Sequence, residues 1–127
     1  MRILGVGVDI VAISRIRGLH DRHPQRFAAR ILSEAELAEW AQIRDKVGFL
    51  AKRFAAKEAV AKALGTGLSQ GIGFRDITIT HDPLGRPGAC LSGKAAQRFA
   101  AQGAIEVHIS LSDEREHAVA YAMIVSG

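Results

Sequence analysis

Apolar and polar residues alternate, cluster and break along this chain in a way that marks out its elements. Residues 3–9, "ILGVGVD", form an apolar run that predicts a short buried strand. Gly5 and Gly7 weaken such a strand unless another backbone or a ligand comes close. Over 12–22, Ile13, Ile16 and Leu19 recur at helical spacing, and Pro24 marks the end of that helix. "SEAE" at 33–36 is a capping box, Ser33 with Glu36 three residues on, and opens a short helix through Leu37 and Trp40. A longer helix is predicted over 46–64, stopped by Gly65 as a left-handed cap and followed by a glycine-rich loop, 66–73. Residues 74–80 predict a strand, "HDPLGRPGA" is turn chemistry, and an amphipathic helix over 94–102 ends at Gly103. The closing segments, 104–112 and 117–125, alternate with period two on either side of "DERE" and predict a β-hairpin. In the first of them Glu106, His108, Ser110 and Ser112 share one face, and Ile105, Val107, Ile109 and Leu111 the other. Trp40 and Tyr121 read as packing residues. No repeat or linker interrupts the pattern, so residues 1–127 predict one α+β domain.

One stretch departs from a simple amphipathic pattern. In "RFAAKEAVAKALG", residues 53–65, Ala55, Ala56, Ala59, Val60 and Ala63 cover about half the circumference at roughly 100° per residue. Side chains that small let a neighbour approach closely. Arg53, Lys57, Glu58 and Lys62 hold the other half, with Phe54 and Ala61 between them, so this is not a plain solvated face. Glu58 and Lys62 stand four apart and either simply pair on the helix or serve a ligand. Asp9 ends the apolar strand with nothing nearby in sequence to pair with it. Mg²⁺ takes one or two protein carboxylates together with substrate phosphates and water. Asp9 and Glu58 suit that ion, and Arg53, Lys57 and Lys62 suit the phosphates.

Composition narrows the setting. A 127-residue chain buries a core without disulfides, and its one cysteine excludes an intrachain disulfide and fits a reducing compartment. That residue, Cys90 in "PGACLSG", reads as a small buried hydrophobe at a strand end. No apolar run approaches the roughly 20 residues that span a bilayer. The N-terminus lacks the length and cleavage pattern of a signal peptide, so a cytoplasmic protein is expected. The net charge is +4, and residues 1–30 hold six arginines against Asp9 and Asp21, which favours an anionic partner. A basic chain with Asp, Glu and Lys also fits a metal-dependent nuclease, but such sites usually set the lysine two residues after the second carboxylate, whereas Lys62 is four after Glu58. A non-catalytic nucleic-acid-binding module is disfavoured by an aromatic content of 6%, which leaves few platforms for stacked bases.

"GVGVDIV" (5–11), "RFAARILSEAEL" (26–37), "RFAAKEAVAKALGTGL" (53–68), "LGRP" (84–87) and the closing "HISLSDE…AVAYAMI" stand in an order and at spacings that resemble the holo-[acyl-carrier-protein] synthases. These are the short bacterial 4′-phosphopantetheinyl transferases, and the resemblance runs over nearly the whole chain. It implies their α+β fold, a small antiparallel sheet packed with a long central helix. It implies a Mg²⁺-dependent enzyme of fatty acid biosynthesis. The reaction moves the 4′-phosphopantetheine arm of coenzyme A to a serine of apo-acyl carrier protein and releases adenosine 3′,5′-bisphosphate.

By the same resemblance Asp9 and Glu58 are the Mg²⁺ ligands. Lys62 lies near the pyrophosphate to stabilise or protonate the leaving phosphate, and Glu58 also activates the serine, directly or through a water. Arg53 and Lys57 are either coenzyme A phosphate contacts or solvated helix charges. Gly65, Thr66 and Gly67 are either a ligand-side loop or ordinary helix-stop chemistry. Gly85, Arg86 and Pro87 either contact the adenine or form a bare turn. Ser110 and Ser112 stand with the polar strand face as a coenzyme wall. Asp113 replaces a histidine found in many relatives, so a phosphate contact made by that histidine does not carry over. The resemblance implies a homotrimer with each site at a subunit boundary, and an acidic acyl carrier protein as partner. Arg15 and Arg22, seven apart on one helix face, with Arg26 and then Arg30 beyond Pro24, are its expected docking residues; no nucleic-acid or membrane partner is expected.

Overall fold

The computed structural model describes residues 1–127. The elements follow in the order β1 (Arg2–Ala12), α1 (Ile13–Arg22), α2 (Pro24–Ile31), α3 (Glu34–Ala41), α4 (Lys46–Ala63), a 3₁₀ turn (Phe74–Asp76), β2 (Ile77–His81), β3 (Pro87–Leu91), α5 (Gly93–Ala101), β4 (Ala104–Asp113) and β5 (His117–Ser126). β1, β5 and β4 form an antiparallel sheet with β5 in the middle, and β2 and β3 form a separate antiparallel pair. No helix is long and apolar enough to cross a membrane.

α4 lies between the sheet and the layer made by α1, α2 and β2. Ala118, Ala120, Ala122 and Ile124 of β5 are buried beneath it, and so are almost all of its own residues. Small residues on both surfaces allow this close approach. On β1 they have to be glycine: a Cβ on Gly5 would land on the Ala63 carbonyl oxygen, and one on Gly7 on that of Ala59. The neighbour that the glycines of β1 admit is therefore the backbone of α4.

Several local expectations are corrected. β1 is not buried as a unit; its helix side is covered, while Val6, Val8 and Ile10 are exposed on the outer side. Pro24 not only follows α1 but opens α2, where its fixed φ and missing N–H suit the first helical turn. Phe74–Asp76 winds as a 3₁₀ turn rather than a strand, because the Asp76 carboxylate accepts from the Gly73 N–H at 3.1 Å. Cys90 is exposed on β3, not buried. A register shift between Ala104 and Glu106 separates Ile105 from the inner row of Val107, Ile109 and Leu111, and it is exposed. Tyr121 is also exposed, unlike Trp40, which is buried and donates its indole N–H to the Lys46 carbonyl at 3.2 Å.

The outer face of the three-stranded sheet is thus divided. Val6, Val8 and Ile10 on β1 stand beside Tyr121 on β5, whereas β4 presents Glu106, His108, Ser110 and Ser112.

Candidate active site

The strand that glycines press against α4 carries Asp9 two residues beyond Gly7, on the helix side of the sheet. Lys62, in the last turn of α4, donates to the Val8 carbonyl at 2.9 Å and pairs with the Asp9 carboxylate at 3.3 Å. Its partner is therefore on β1, and the alternative pairing with Glu58 four residues earlier is not taken up. Glu58 is half-buried one turn before Lys62. Burial pushes its carboxyl above the ordinary range, the nearby Asp9 charge adds to the rise, and Lys62 and Arg15 oppose it. Two carboxylates repelling one another beside a lysine form a place where a cation is favourable.

No group of three or more His, Cys, Asp or Glu converges anywhere in the molecule. The donor set is then two oxygens, which suits Mg²⁺ completed by water and phosphate oxygens better than Zn²⁺, which takes three or four protein ligands.

Glu58 opens into a cavity of about 340 Å³, where Arg15 and Arg30 flank it above Phe27, Phe54 and Phe74. The Arg15 guanidinium sits 5.3 Å from the centre of the Phe54 ring. Arg15, Arg22, Arg26 and Arg30 are all exposed on α1 and α2, and Arg15 and Arg30 line this opening. Arg22 bends back to donate to the Gly18 carbonyl at 3.1 Å. Arg26 and Arg30 border a smaller hollow of about 90 Å³ with Leu19 and His23.

The remaining cations of α4 are placed differently. Lys57 is 0% exposed and bonds to Glu36, to the Ile31 carbonyl at 2.7 Å and to the Phe74 carbonyl at 3.1 Å. Burial lowers its pKa, the Glu36 charge and hydrogen bond pull it back up, and Arg53 and Arg75 lower it further. Lys57 is therefore not a coenzyme phosphate contact, which corrects the expectation; an unpaired ammonium at that depth is too costly to stand without Glu36. Arg53, at 4% exposure, shares its guanidinium among Glu36 at 3.3 Å, Glu39 at 3.3 Å and the Ile79 carbonyl at 2.8 Å. It shows one edge to a hollow of about 200 Å³ beside Lys52 and His81.

Glu36 is the residue that sequence reasoning undervalued. It makes the expected capping bond from the Ser33 N–H at 2.9 Å, and it also accepts from Lys57, Arg53 and the Ile79 N–H. The capping box was legible; its second use depends on residues 17, 21 and 43 positions away.

A further cavity, of about 390 Å³, joins Arg86 and Pro87 to Glu106 and His108 on β4. The turn before β3 is shaped by Asp82, whose carboxylate accepts from the Leu84 and Arg86 N–H groups at 2.9 and 2.8 Å, and by Gly85 at φ 89°. The turn and the polar strand face, far apart in sequence, thus meet in one hollow. Glu106 is already engaged by His108 at 2.8 Å. Ser110 and Ser112 are exposed farther along the same face. Gly65, at φ 90°, and Thr66 follow α4, and the Thr66 hydroxyl bonds the Gly67 carbonyl at 2.8 Å. Asp9, Glu58 and Lys62 are not among the residues around Arg86, so one chain presents two partial surfaces rather than one cleft.

A model of the 4′-phosphopantetheinyl transferase superfamily matches residues 5–122. The chain is 49% identical over 125 residues to a holo-[acyl-carrier-protein] synthase of Halorhodospira halophila, covering 98% of this chain and 99% of that one. It superposes on the crystal structure of the holo-[acyl-carrier-protein] synthase of Neisseria meningitidis with a TM-score of 0.92 at 44% identity, over 98% of this chain and 100% of that one. The Bacillus anthracis holo-(acyl-carrier-protein) synthase, solved in complex with CoA (3′,5′-ADP), gives a TM-score of 0.83 at 35% identity over 98% of both chains.

Proposed function

The chain belongs to the holo-[acyl-carrier-protein] synthases of the 4′-phosphopantetheinyl transferase superfamily, and from that membership we infer how its own residues carry the reaction. It transfers the 4′-phosphopantetheine arm of coenzyme A to a serine of apo-acyl carrier protein. The serine oxygen attacks the pyrophosphate phosphorus on the pantetheine side. The bond from that phosphorus to the bridging oxygen breaks, and adenosine 3′,5′-bisphosphate leaves. Residues 1–127 act as one transferase domain, in the cytoplasm, in the service of fatty acid biosynthesis.

The observation that carries the residue assignment is the meeting of Asp9, Glu58 and Lys62 where β1 crosses α4. Asp9 and Glu58 would hold Mg²⁺, which when bound neutralises charge on the pyrophosphate. Lys62 already stands against Asp9 and is placed to stabilise the departing phosphate. Glu58 would take the serine proton directly or through a water. Gly85, Arg86, Pro87, Ser110 and Ser112 form the coenzyme's nucleotide side, with Gly65 and Thr66 at the loop after α4. Arg53 belongs to that side only by the edge it shows beside Lys52, and Lys57 has no part in it.

Two features support a homotrimer. Val6, Val8, Ile10 and Tyr121 form an exposed apolar patch that a monomer would leave in water, and the two partial surfaces of one chain call for a neighbour to join them. The basic α1–α2 surface docks the acidic carrier so that its serine meets Glu58.

The test is to incubate the protein with coenzyme A, Mg²⁺ and apo-carrier protein, and in parallel with DNA and RNA. A carrier mass gain of one phosphopantetheine supports the transferase. Nicking of nucleic acid without that gain contradicts it in favour of a nuclease, and salt-sensitive nucleic-acid binding without turnover favours a binding module. For the metal, Asp9→Ala and Glu58→Ala are each expected to abolish transfer while leaving the circular dichroism spectrum unchanged. Near-normal turnover of Asp9→Ala at ordinary Mg²⁺ removes the assignment.

A further inference from the structure

Lys57 precedes Glu58 and touches nothing outside the protein, yet its hydrogen bonds reach the walls of the cavity into which Glu58 opens. One acceptor is the carbonyl of Ile31, at the end of α2. Another is the carbonyl of Phe74, in the 3₁₀ turn. Both residues line that cavity, and Phe74 also stacks on Phe54 of α4 with ring centres 5.2 Å apart. Glu36 supplies the charge that keeps the ammonium in place, and the Ser33 N–H and the Ile79 N–H hold Glu36 in turn. A single buried ammonium thus joins α2, α3, α4 and the 3₁₀ turn around one opening.

Arg15 and Arg30 belong to the same cavity and to the basic surface of α1 and α2. Resting on the transferase reading, this makes the cavity the carrier side of the site. We propose that Lys57 is a positioning residue: by tying Ile31 and Phe74 to α4 it sets the shape of the cavity that receives the carrier protein beside Glu58. It touches neither substrate nor reacting atoms. Any other buried lysine would stabilise the fold, but only one bonded to these two walls tunes recognition of the carrier as distinct from the coenzyme.

The test uses Lys57→Met combined with Glu36→Gln, which removes the ammonium and its carboxylate charge together and leaves Arg53 its bonds to Glu39 and the Ile79 carbonyl. Lys46→Met is the control. Lys46 likewise ties carbonyls together, that of Trp40 at the end of α3 at 2.7 Å and that of Ile43 beyond it at 2.9 Å, and lines no part of the Glu58 cavity. The dissociation constant for apo-acyl carrier protein is measured calorimetrically without coenzyme A or Mg²⁺. Both KM values, kcat and the thermal midpoint are measured alongside. Loss of two bonds from a charged donor predicts that carrier Kd and carrier KM rise about tenfold while the KM for coenzyme A stays put. Lys46→Met should lower the thermal midpoint and leave carrier Kd unchanged. An unchanged carrier Kd in the double variant, or an equal rise in Lys46→Met, overturns the proposal. Wild-type protein that neither binds nor modifies the carrier contradicts the transferase reading itself and takes this proposal with it; active wild type with an unaltered double variant overturns the proposal alone.

Discussion

Gly7→Ala is a one-methyl change whose sign is decided by two opposing quantities. Gly7 does not have a positive φ, so alanine is allowed by the backbone there. With room to spare the change would stabilise the protein by about 0.4–1 kcal/mol, because alanine has less freedom to lose on folding. There is no room. The added Cβ would meet the Ala59 carbonyl oxygen far inside the roughly 3.3 Å at which carbon and carbonyl oxygen ordinarily touch. It would also lie 2.9 Å from the Ala63 nitrogen and 2.9 Å from the Lys62 Cβ. Most of these are backbone atoms of a helix buried on nearly all sides, so no rotamer change relieves the overlap, and β1 and α4 must separate. Overpacking of this kind costs about 3 kcal/mol, the upper part of the usual range. The net loss is about 2 kcal/mol, or roughly 8 °C in thermal midpoint for a chain of this size. The same separation draws Asp9 away from Glu58, so the Mg²⁺ concentration for half-maximal transfer should rise. Calorimetric melts at matched protein concentration, because assembly would contribute to the midpoint, and a Mg²⁺ titration of transfer check this. A Gly7→Ala midpoint at or above wild type, with an unaltered Mg²⁺ requirement, would show that α4 does not press on β1 as described.

Other expectations follow from the same contacts. Glu58 has a raised folded-state pKa, so the folded protein binds more protons than the unfolded chain between the two pKa values, and its stability falls as pH rises through that window. Glu58→Gln should therefore raise the Mg²⁺-free thermal midpoint at neutral pH and give no gain below the ordinary glutamate pKa; a gain that grows toward acid would reverse the assignment. Arg15→Glu with Arg22→Glu should raise the carrier KM about tenfold or more, leave the coenzyme A KM unchanged and flatten the salt dependence, since exposed charges are screened as the Debye length shrinks from about 10 Å at 0.1 M salt to about 3 Å at 1 M. Unchanged carrier KM and salt dependence would place docking elsewhere. Val8→Glu puts a charge into the exposed apolar patch and should give monomers by light scattering, against the trimers expected of the wild type; wild-type monomers at micromolar concentration would count against the assembly.

The long helix and the glycine strand were readable from the sequence because their signals are local: small residues at helical spacing, a glycine stop, and glycines that only a close neighbour explains. Asp9 was readable as a carboxylate with no local partner. Whether Lys62 would turn to Glu58 or to Asp9 was not, because the helix spacing permits the first and only the packing of β1 on α4 selects the second. Lys57 and Arg53 misled for a related reason. A cation on a helix reads as exposed unless its counter-charge is seen, and theirs is Glu36, which in sequence has a sufficient explanation as a helix cap. The 3₁₀ turn before β2 and the irregularity at Ile105 escaped because a single hydrogen bond or one extra residue sets each of them, and neither disturbs the alternation of apolar residues. Cys90 and Tyr121 followed the alternation but lie on faces that no element of the chain covers.

The central claim is that the junction of β1 and α4 performs phosphopantetheine transfer. Its most direct test is the intact mass of apo-acyl carrier protein after incubation with coenzyme A and Mg²⁺, using wild type and Asp9→Ala side by side, with adenosine 3′,5′-bisphosphate quantified in the same samples. The account predicts that wild type adds one phosphopantetheine per carrier and releases one equivalent of the bisphosphate, both abolished by chelation of the metal, and that folded Asp9→Ala does neither. An unmodified carrier in the presence of folded wild-type protein, or full transfer by Asp9→Ala, would contradict it.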